Sequence, residues 1–89
     1  DKKVLSINGD GGFMYNVQEL STAMKHNIDV VAVVFNDGAF GNVKRMQVLR
    51  HGGKVIASDL QNPDFVRLAE SFGANAFRAE SPEDLKTMI

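Results

Sequence analysis

The 89-residue sequence contains no cysteine, so no disulfide can reinforce its fold. It has no excess of charge of either sign. Ten Lys and Arg stand against eleven Asp and Glu, which gives no field to hold a polyanion and sets nucleic acid aside as a partner. No apolar run approaches the ~18 residues of a membrane helix, and no charged-apolar-small leader pattern opens the chain. No membrane partner is therefore expected, and a reducing, cytoplasmic location is the default. Internal repeats and low-complexity segments are also missing. What remains is an ordinary globular composition, 44% apolar and 24% charged. A domain this short hides a smaller fraction of its surface than a typical one, so support from partners is expected. The chain opens on Asp1 and stops at Ile89 within a predicted helix, and is expected to be a piece of something longer.

Val4-Leu5-Ser6-Ile7-Asn8 reads as a buried strand that breaks into a loop at Gly9-Asp10-Gly11-Gly12. Asn16-Val17-Gln18-Glu19 has the spacing of a capping box, with Tyr15 and Leu20 placed as its hydrophobic staple. The helix so predicted carries Val17, Leu20, Ala23 and Met24 on one face and stops at His26-Asn27. Val30 to Phe35 is β-branched and apolar on both faces, the pattern of a central parallel strand, and ends in Asn36-Asp37-Gly38. Strand, helix and strand make a βαβ unit, whose right-handed crossover puts both strand ends on one edge of the sheet.

A basic helix is predicted from Asn42 to about His51, ended by Gly52-Gly53. Asn62-Pro63-Asp64 reads as the start of another, with Asn62 as its cap and Phe65, Leu68, Ala69 and Phe72 as its core stripe. Gly73 stops it. A short strand is predicted around Asn75 to Arg78, and a last helix from Ser81-Pro82-Glu83-Asp84. The fold class is α/β.

Ligands of open parallel sheets bind beyond the carboxyl ends of the strands, where Asp10 and Asp37 fall. Glycines around Asp10 let the backbone approach a bulky anion and leave N–H groups free for it. Two carboxylates facing one pocket repel each other, and a divalent cation between them removes the penalty. Oxygen donors favour a hard ion, and Mg²⁺ usually takes one or two carboxylates plus phosphates. Either turn taken alone is more simply a tight turn. Their joint position favours a magnesium-diphosphate clamp.

Gly9-Asp10-Gly11, a spacer of 24 residues and Asn36-Asp37 resemble the thiamin-diphosphate signature, GDG closed by NN. The likeness continues through Asn16-Val17-Gln18-Glu19-Leu20, Gly41-Asn42-Val43-Lys44-Arg45-Met46-Gln47 and Asn62-Pro63-Asp64-Phe65-Val66. These resemble the diphosphate-binding, C-terminal domain of the acetolactate synthase, pyruvate decarboxylase and benzoylformate decarboxylase group; transketolase-like relatives fit less well. The resemblance implies a three-layer α/β/α parallel sheet, with residues 1–89 forming about half of such a domain. It implies thiamin diphosphate and Mg²⁺ as cofactors, with Asp10, Asp37 and the carbonyl of Ala39 as metal ligands. It further implies cofactor contacts by Gly9, Gly11, Gly12 and Asn36, with Phe40, Gly41, Asn42 and Val43 near the thiazolium end.

The activity implied is decarboxylation of a 2-oxo acid, or joining of the resulting carbanion equivalent to a carbonyl acceptor, a lyase or transferase in a homo-oligomer. No catalytic side chain is assigned within this chain, because the family's activating glutamate lies in a separate domain. The isolated chain is expected to be inert. The sequence departs from the signature at Asp37, where the family usually has Asn; the donor remains an oxygen, but a second carboxylate repels the diphosphate more. The rival reading is a non-catalytic, receiver- or flavodoxin-like module that binds Mg²⁺ through Asp10. A receiver's additional acidic pair and later lysine are not found. A remnant that folds and binds nothing is a third reading. Glu19 reads as a capping residue, while His26, His51, Lys44, Arg45 and Arg50 read as solvated.

Overall fold

A computed structural model describes residues 2–89. Strand β1 (Val4–Gly9) and strand β2 (Val30–Phe35) pair in a two-stranded parallel sheet. Helices α1 (Asp10–Met14) and α2 (Glu19–Lys25) lie between them in sequence. Helices α3 (Gly41–Arg50), α4 (Phe65–Ser71) and α5 (Pro82–Met88) follow. The element order is that of the βαβ unit, and parallel pairing brings the carboxyl ends of β1 and β2 to one edge.

The helix signals succeed where the stop or cap is chemically explicit. Asn27 takes a left-handed φ of 50° after α2, and Gly52 (64°), Gly53 (74°) and Gly73 (88°) do the same after α3 and α4. Ser81 caps α5 by accepting from the Asp84 N–H at 3.1 Å, with Pro82 in the first turn.

Four expectations of local secondary structure and capping need correction. The Gly9-Asp10-Gly11-Gly12 segment is not a loop throughout, because α1 begins at Asp10 directly after the strand. The capping box on Asn16 does not form. Residues 15–18 are turns and bends, α2 begins at Glu19, and its N-cap Gln18 makes no side-chain cap bond. Tyr15 stacks instead on Phe40, with ring centroids 6.2 Å apart and planes inclined by 26°. The cap of α4 is Asp64 rather than Asn62: its Oδ1 accepts from the Val66 and Arg67 N–H groups at 3.0 and 3.2 Å. Residues 75–78 are not a strand among the described residues, since no neighbouring strand offers them a ladder.

The chain divides into two compact units. One gathers the beginnings of β1 and β2 with α2, α4 and α5. Its half-buried apolar side chains include Leu20, Phe65, Leu68 and Phe72. The other gathers the ends of both strands with α1, α3 and the segment through Asn62. Here an isolated antiparallel bridge joins Ala39 to Asp59, carried by Phe40 N–H to Ser58 O and Leu60 N–H to Gly38 O, each 2.8 Å.

No apolar residue is fully buried among the described residues, which corrects the expectation that Phe65 and Phe72 are core. The fully enclosed side chains are polar, Asp10 and Ser58. Val4, Ile7, Val31 and Phe35 of the strands are exposed, as are Val48 and Leu49 of α3.

Candidate functional site

The strongest feature of the second unit is the Asp10 carboxylate, only 2% exposed at the end of β1. Its Oδ1 accepts from the Gly11 N–H at 2.9 Å. Its Oδ2 accepts from the Gly38 N–H and from Asn62 Nδ2, each at 2.7 Å. Burial pushes the Asp10 carboxyl up, but the bonds from Asn62, Gly38 and Gly11 outweigh it and leave its pKa below the usual carboxylate value. The group is an anion at neutral pH. No cationic side chain pairs with it among the described residues: the ion pairs join Lys44 to Asp59 and Arg78 to Asp64. A buried, uncompensated carboxylate is costly unless a cation completes it.

The Gly38 bond ties the turn after β2 to the start of α1, 28 residues earlier. Asp37, next to Gly38, is exposed and has no described hydrogen-bond or ion-pair partner. In the bridge to Asp59, the flanking residues Gly38 and Phe40 make the hydrogen bonds, so the N–H and C=O of Ala39 point to the opposite side. Among the described residues the Ala39 carbonyl accepts no backbone hydrogen bond. No group of three or more His, Cys, Asp or Glu side chains suited to a metal occurs among them. The expected set contains two carboxylates and a main-chain oxygen, and so does not need one.

The glycines differ in what they do. A Cβ on Gly11 would overlap the Phe40 ring, coming within 2.7 Å of Cδ1. Gly12 and Gly9 meet nothing within 4 Å of an added Cβ and keep their flank of α1 open. Asn36 presents Oδ1 to Asn62 Nδ2 at 2.9 Å. Phe40 is the N-cap of α3, where Gly41, Asn42 and Val43 form an exposed first turn.

Two positions tied by hydrogen bonds to this region escape a local reading of the sequence. Asn62 reaches Asp10 across 52 residues and Asn36 across 26. Ser58, fully enclosed, donates to Gln47 Oε1 at 2.7 Å, while Gln47 Nε2 donates to the Ile56 carbonyl at 2.8 Å. This pair holds residues 56–58 to α3, and through Ser58 O it fixes Phe40. Lys44 is not merely solvated, since its Nζ lies 2.6 Å from Asp59 Oδ1. His26 and His51 are exposed at the ends of α2 and α3.

Residues 1–89 match the family model described as the thiamine pyrophosphate enzyme, C-terminal TPP binding domain. The chain belongs to this family. It is 44% identical over 90 residues to a probable acetolactate synthase large subunit of Methanococcus aeolicus, covering 100% of this chain and 15% of that protein. The acetolactate synthase of Bacillus subtilis is 39% identical over 88 residues, covering 99% of this chain and 15% of its own. Among solved structures, the thiamine diphosphate-dependent 4-hydroxybenzoylformate decarboxylase of Rhodococcus jostii RHA1 superposes with a TM-score of 0.89 at 30% identity, over 98% of this chain and 16% of that one. The benzoylformate decarboxylase of Polynucleobacter necessarius gives 0.89 at 31%, with the same coverage. The chain thus spans about a sixth of the length of these relatives.

Thiamin diphosphate is the cofactor of this domain family, and the receiver- or flavodoxin-like alternative finds no support. The residues present suit the group. A buried anion has no cationic side chain paired with it among the described residues, the Ala39 carbonyl one residue after its Gly38 donor accepts no described backbone hydrogen bond, and the flank of α1 at Gly12 is open. No helix among the described residues is long and apolar enough to cross a membrane.

Proposed function

We propose that this chain anchors the Mg²⁺-bound diphosphate of thiamin diphosphate in an enzyme that decarboxylates a 2-oxo acid or joins the resulting acyl unit to a carbonyl acceptor. One observation carries the reading: the Asp10 carboxylate is enclosed, ionised by three neutral donors and paired with no described cation. A divalent ion supplies the missing charge. The donors available, Asp10, Asp37 and the Ala39 carbonyl, are all oxygens, which suits hard Mg²⁺.

Asp10 at the start of α1 and Asp37 in the turn after β2, tied to each other's elements through Gly38, would hold the metal, and Ala39 would add the main-chain oxygen. Gly9, Gly11, Gly12 and Asn36 would line the diphosphate from the ends of β1 and β2 and the start of α1. Phe40, Gly41, Asn42 and Val43 border the thiazolium end from the start of α3. When bound, thiamin diphosphate supplies the nucleophilic carbon and the electron sink for cleaving a bond beside a carbonyl. This chain contributes charge neutralisation and orientation, and no acid or base of its own. The complete enzyme is read as a homo-oligomer, which the exposed apolar strand and α3 surfaces support, and its location is read as cytoplasmic.

Titration calorimetry of the complete enzyme tests the assignment. Thiamin diphosphate should bind only with Mg²⁺ present, and Asp10→Ala should abolish the binding. Equal binding in excess chelator, or unchanged binding by the variant, overturns it.

A further inference from the structure

The Asn62 side chain is the only described side chain that donates to Asp10, and it does so from a position 52 residues away. With a carboxylate oxygen and the Asn36 amide oxygen as neighbours, only the NH₂ end of the Asn62 amide fits there. Its two hydrogens are then both used, one on Asp10 Oδ2 at 2.7 Å and one on Asn36 Oδ1 at 2.9 Å. The cap of α4, which the Asn-Pro-Asp sequence suggested for Asn62, is supplied by Asp64. The amide is therefore committed to the start of α1 and the end of β2.

We propose that Asn62 is a positioning residue for the metal-binding carboxylate, bridging Asp10 and Asn36 so that Oδ1 of Asp10 is the oxygen left for the cation. The inference rests on the assignment of Asp10 as a metal ligand. An ionised carboxylate offers about four lone-pair sites. Gly38 and Asn62 fill those on Oδ2, and Gly11 takes one on Oδ1, leaving Oδ1 with spare capacity. Removing the Asn62 donor opens one site on Oδ2, leaves the carboxylate oriented by Gly38 and Gly11 alone, and unties Asn36. Partners of this kind typically change metal affinity about 10–100-fold when removed, by losing the orientation of the ligand they hold.

The test is Mn²⁺ binding to the full enzyme with saturating thiamin diphosphate, followed by electron paramagnetic resonance. Asn62→Asp keeps the volume and shape of the side chain but turns the donor into an acceptor facing Asp10; Asn62→Ala removes it. Both should weaken Mn²⁺ binding about 10–100-fold, the Asp variant at least as much as the Ala variant. A residue that only fills space would tolerate Asp, so Mn²⁺ affinity within about twofold of wild type in Asn62→Asp overturns the proposal. If neither variant folds, the wild-type crystal structure with Mn²⁺ and cofactor decides. Asn62 Nδ2 should remain on Asp10 Oδ2 with the metal on Oδ1, and an amide turned away from Asp10 overturns the proposal. Failure of the wild type to take up Mn²⁺ at all overturns the metal-site reading itself, and is distinguished from a defect confined to the variants.

Discussion

The ring of Phe40 occupies the space that any side chain on residue 11 would need: a Cβ on Gly11 falls within 2.7 Å of Phe40 Cδ1. The backbone of Phe40 cannot easily yield, because its N–H is held by Ser58 O at 2.8 Å and its carbonyl accepts from the Lys44 N–H at 2.9 Å. Gly11→Ala should therefore turn the ring off Tyr15 and disturb the start of α3. A loss of about 1–3 kcal/mol is expected, as for other overpacked sites. Gly12→Ala, with nothing within 4 Å, should change stability far less. Denaturant melts of both variants check the difference.

Gln47 and Ser58 form a closed pair, with the hydroxyl fully enclosed. Gln47→Leu strands that hydroxyl and releases the Ile56 carbonyl, and a cost of about 1–3 kcal/mol follows from one unsatisfied buried polar group. Gln47→Leu combined with Ser58→Ala should recover part of it, because the stranded group is gone. The double-mutant cycle by chemical denaturation measures the coupling.

Acid should destabilise the fold through Asp64. Hydrogen bonding from the Arg67 N–H leads the causes that hold its carboxyl below the usual value, aided by the Arg78 charge and the Val66 N–H and opposed by desolvation. A depressed folded-state pKa gives stability that is fully present above the unfolded value of about 3.9 and is lost as pH falls through the folded value. The Asp10 carboxyl, lowered by its three donors, acts in the same direction. Asp64→Asn keeps a capping oxygen but removes the charge, and should flatten the decline of melting temperature below about pH 4. An unchanged acid limb would argue against the cap.

The absence of any fully buried apolar residue among those described has a direct consequence for the isolated 89-residue chain. Exposed Val4, Ile7, Val31 and Phe35 on paired strands, with Val48 and Leu49 on α3, make self-association the expected behaviour. Light scattering should rise with concentration. A strictly monomeric chain across a hundredfold dilution would contradict this.

The βαβ unit and the ends of the later helices were legible in the sequence because their signals are local. A β-branched run, a left-handed Asn27, paired glycines at 52 and 53 and a Ser81-Pro82 cap each act within a few residues. Asp10 and the turn containing Asp37 were legible as neighbours because parallel pairing forces both onto one edge. The failures arise where adjoining elements or distant partners, rather than the local pattern, decide the outcome. Asn16 and Glu19 have capping-box spacing, yet α1 has already begun at Asp10 and α2 begins only at Glu19. Asn62 looks like a helix cap beside Pro63, but Asp64 takes that role and frees the amide for Asp10. Nothing within ten residues of Asn62 announces a partner 52 positions away. Residues 75–78 carry strand-like character, but a strand is defined by its neighbour, and none pairs there among the described residues.

The most direct test of the account is where a metal sits. Crystals of the full enzyme grown with thiamin diphosphate and Mn²⁺, measured at the manganese absorption edge, should give one anomalous peak bonded to Asp10, to Asp37, to the Ala39 carbonyl and to the cofactor's diphosphate. A diphosphate bound without a metal, or a peak that does not touch Asp10, would contradict it.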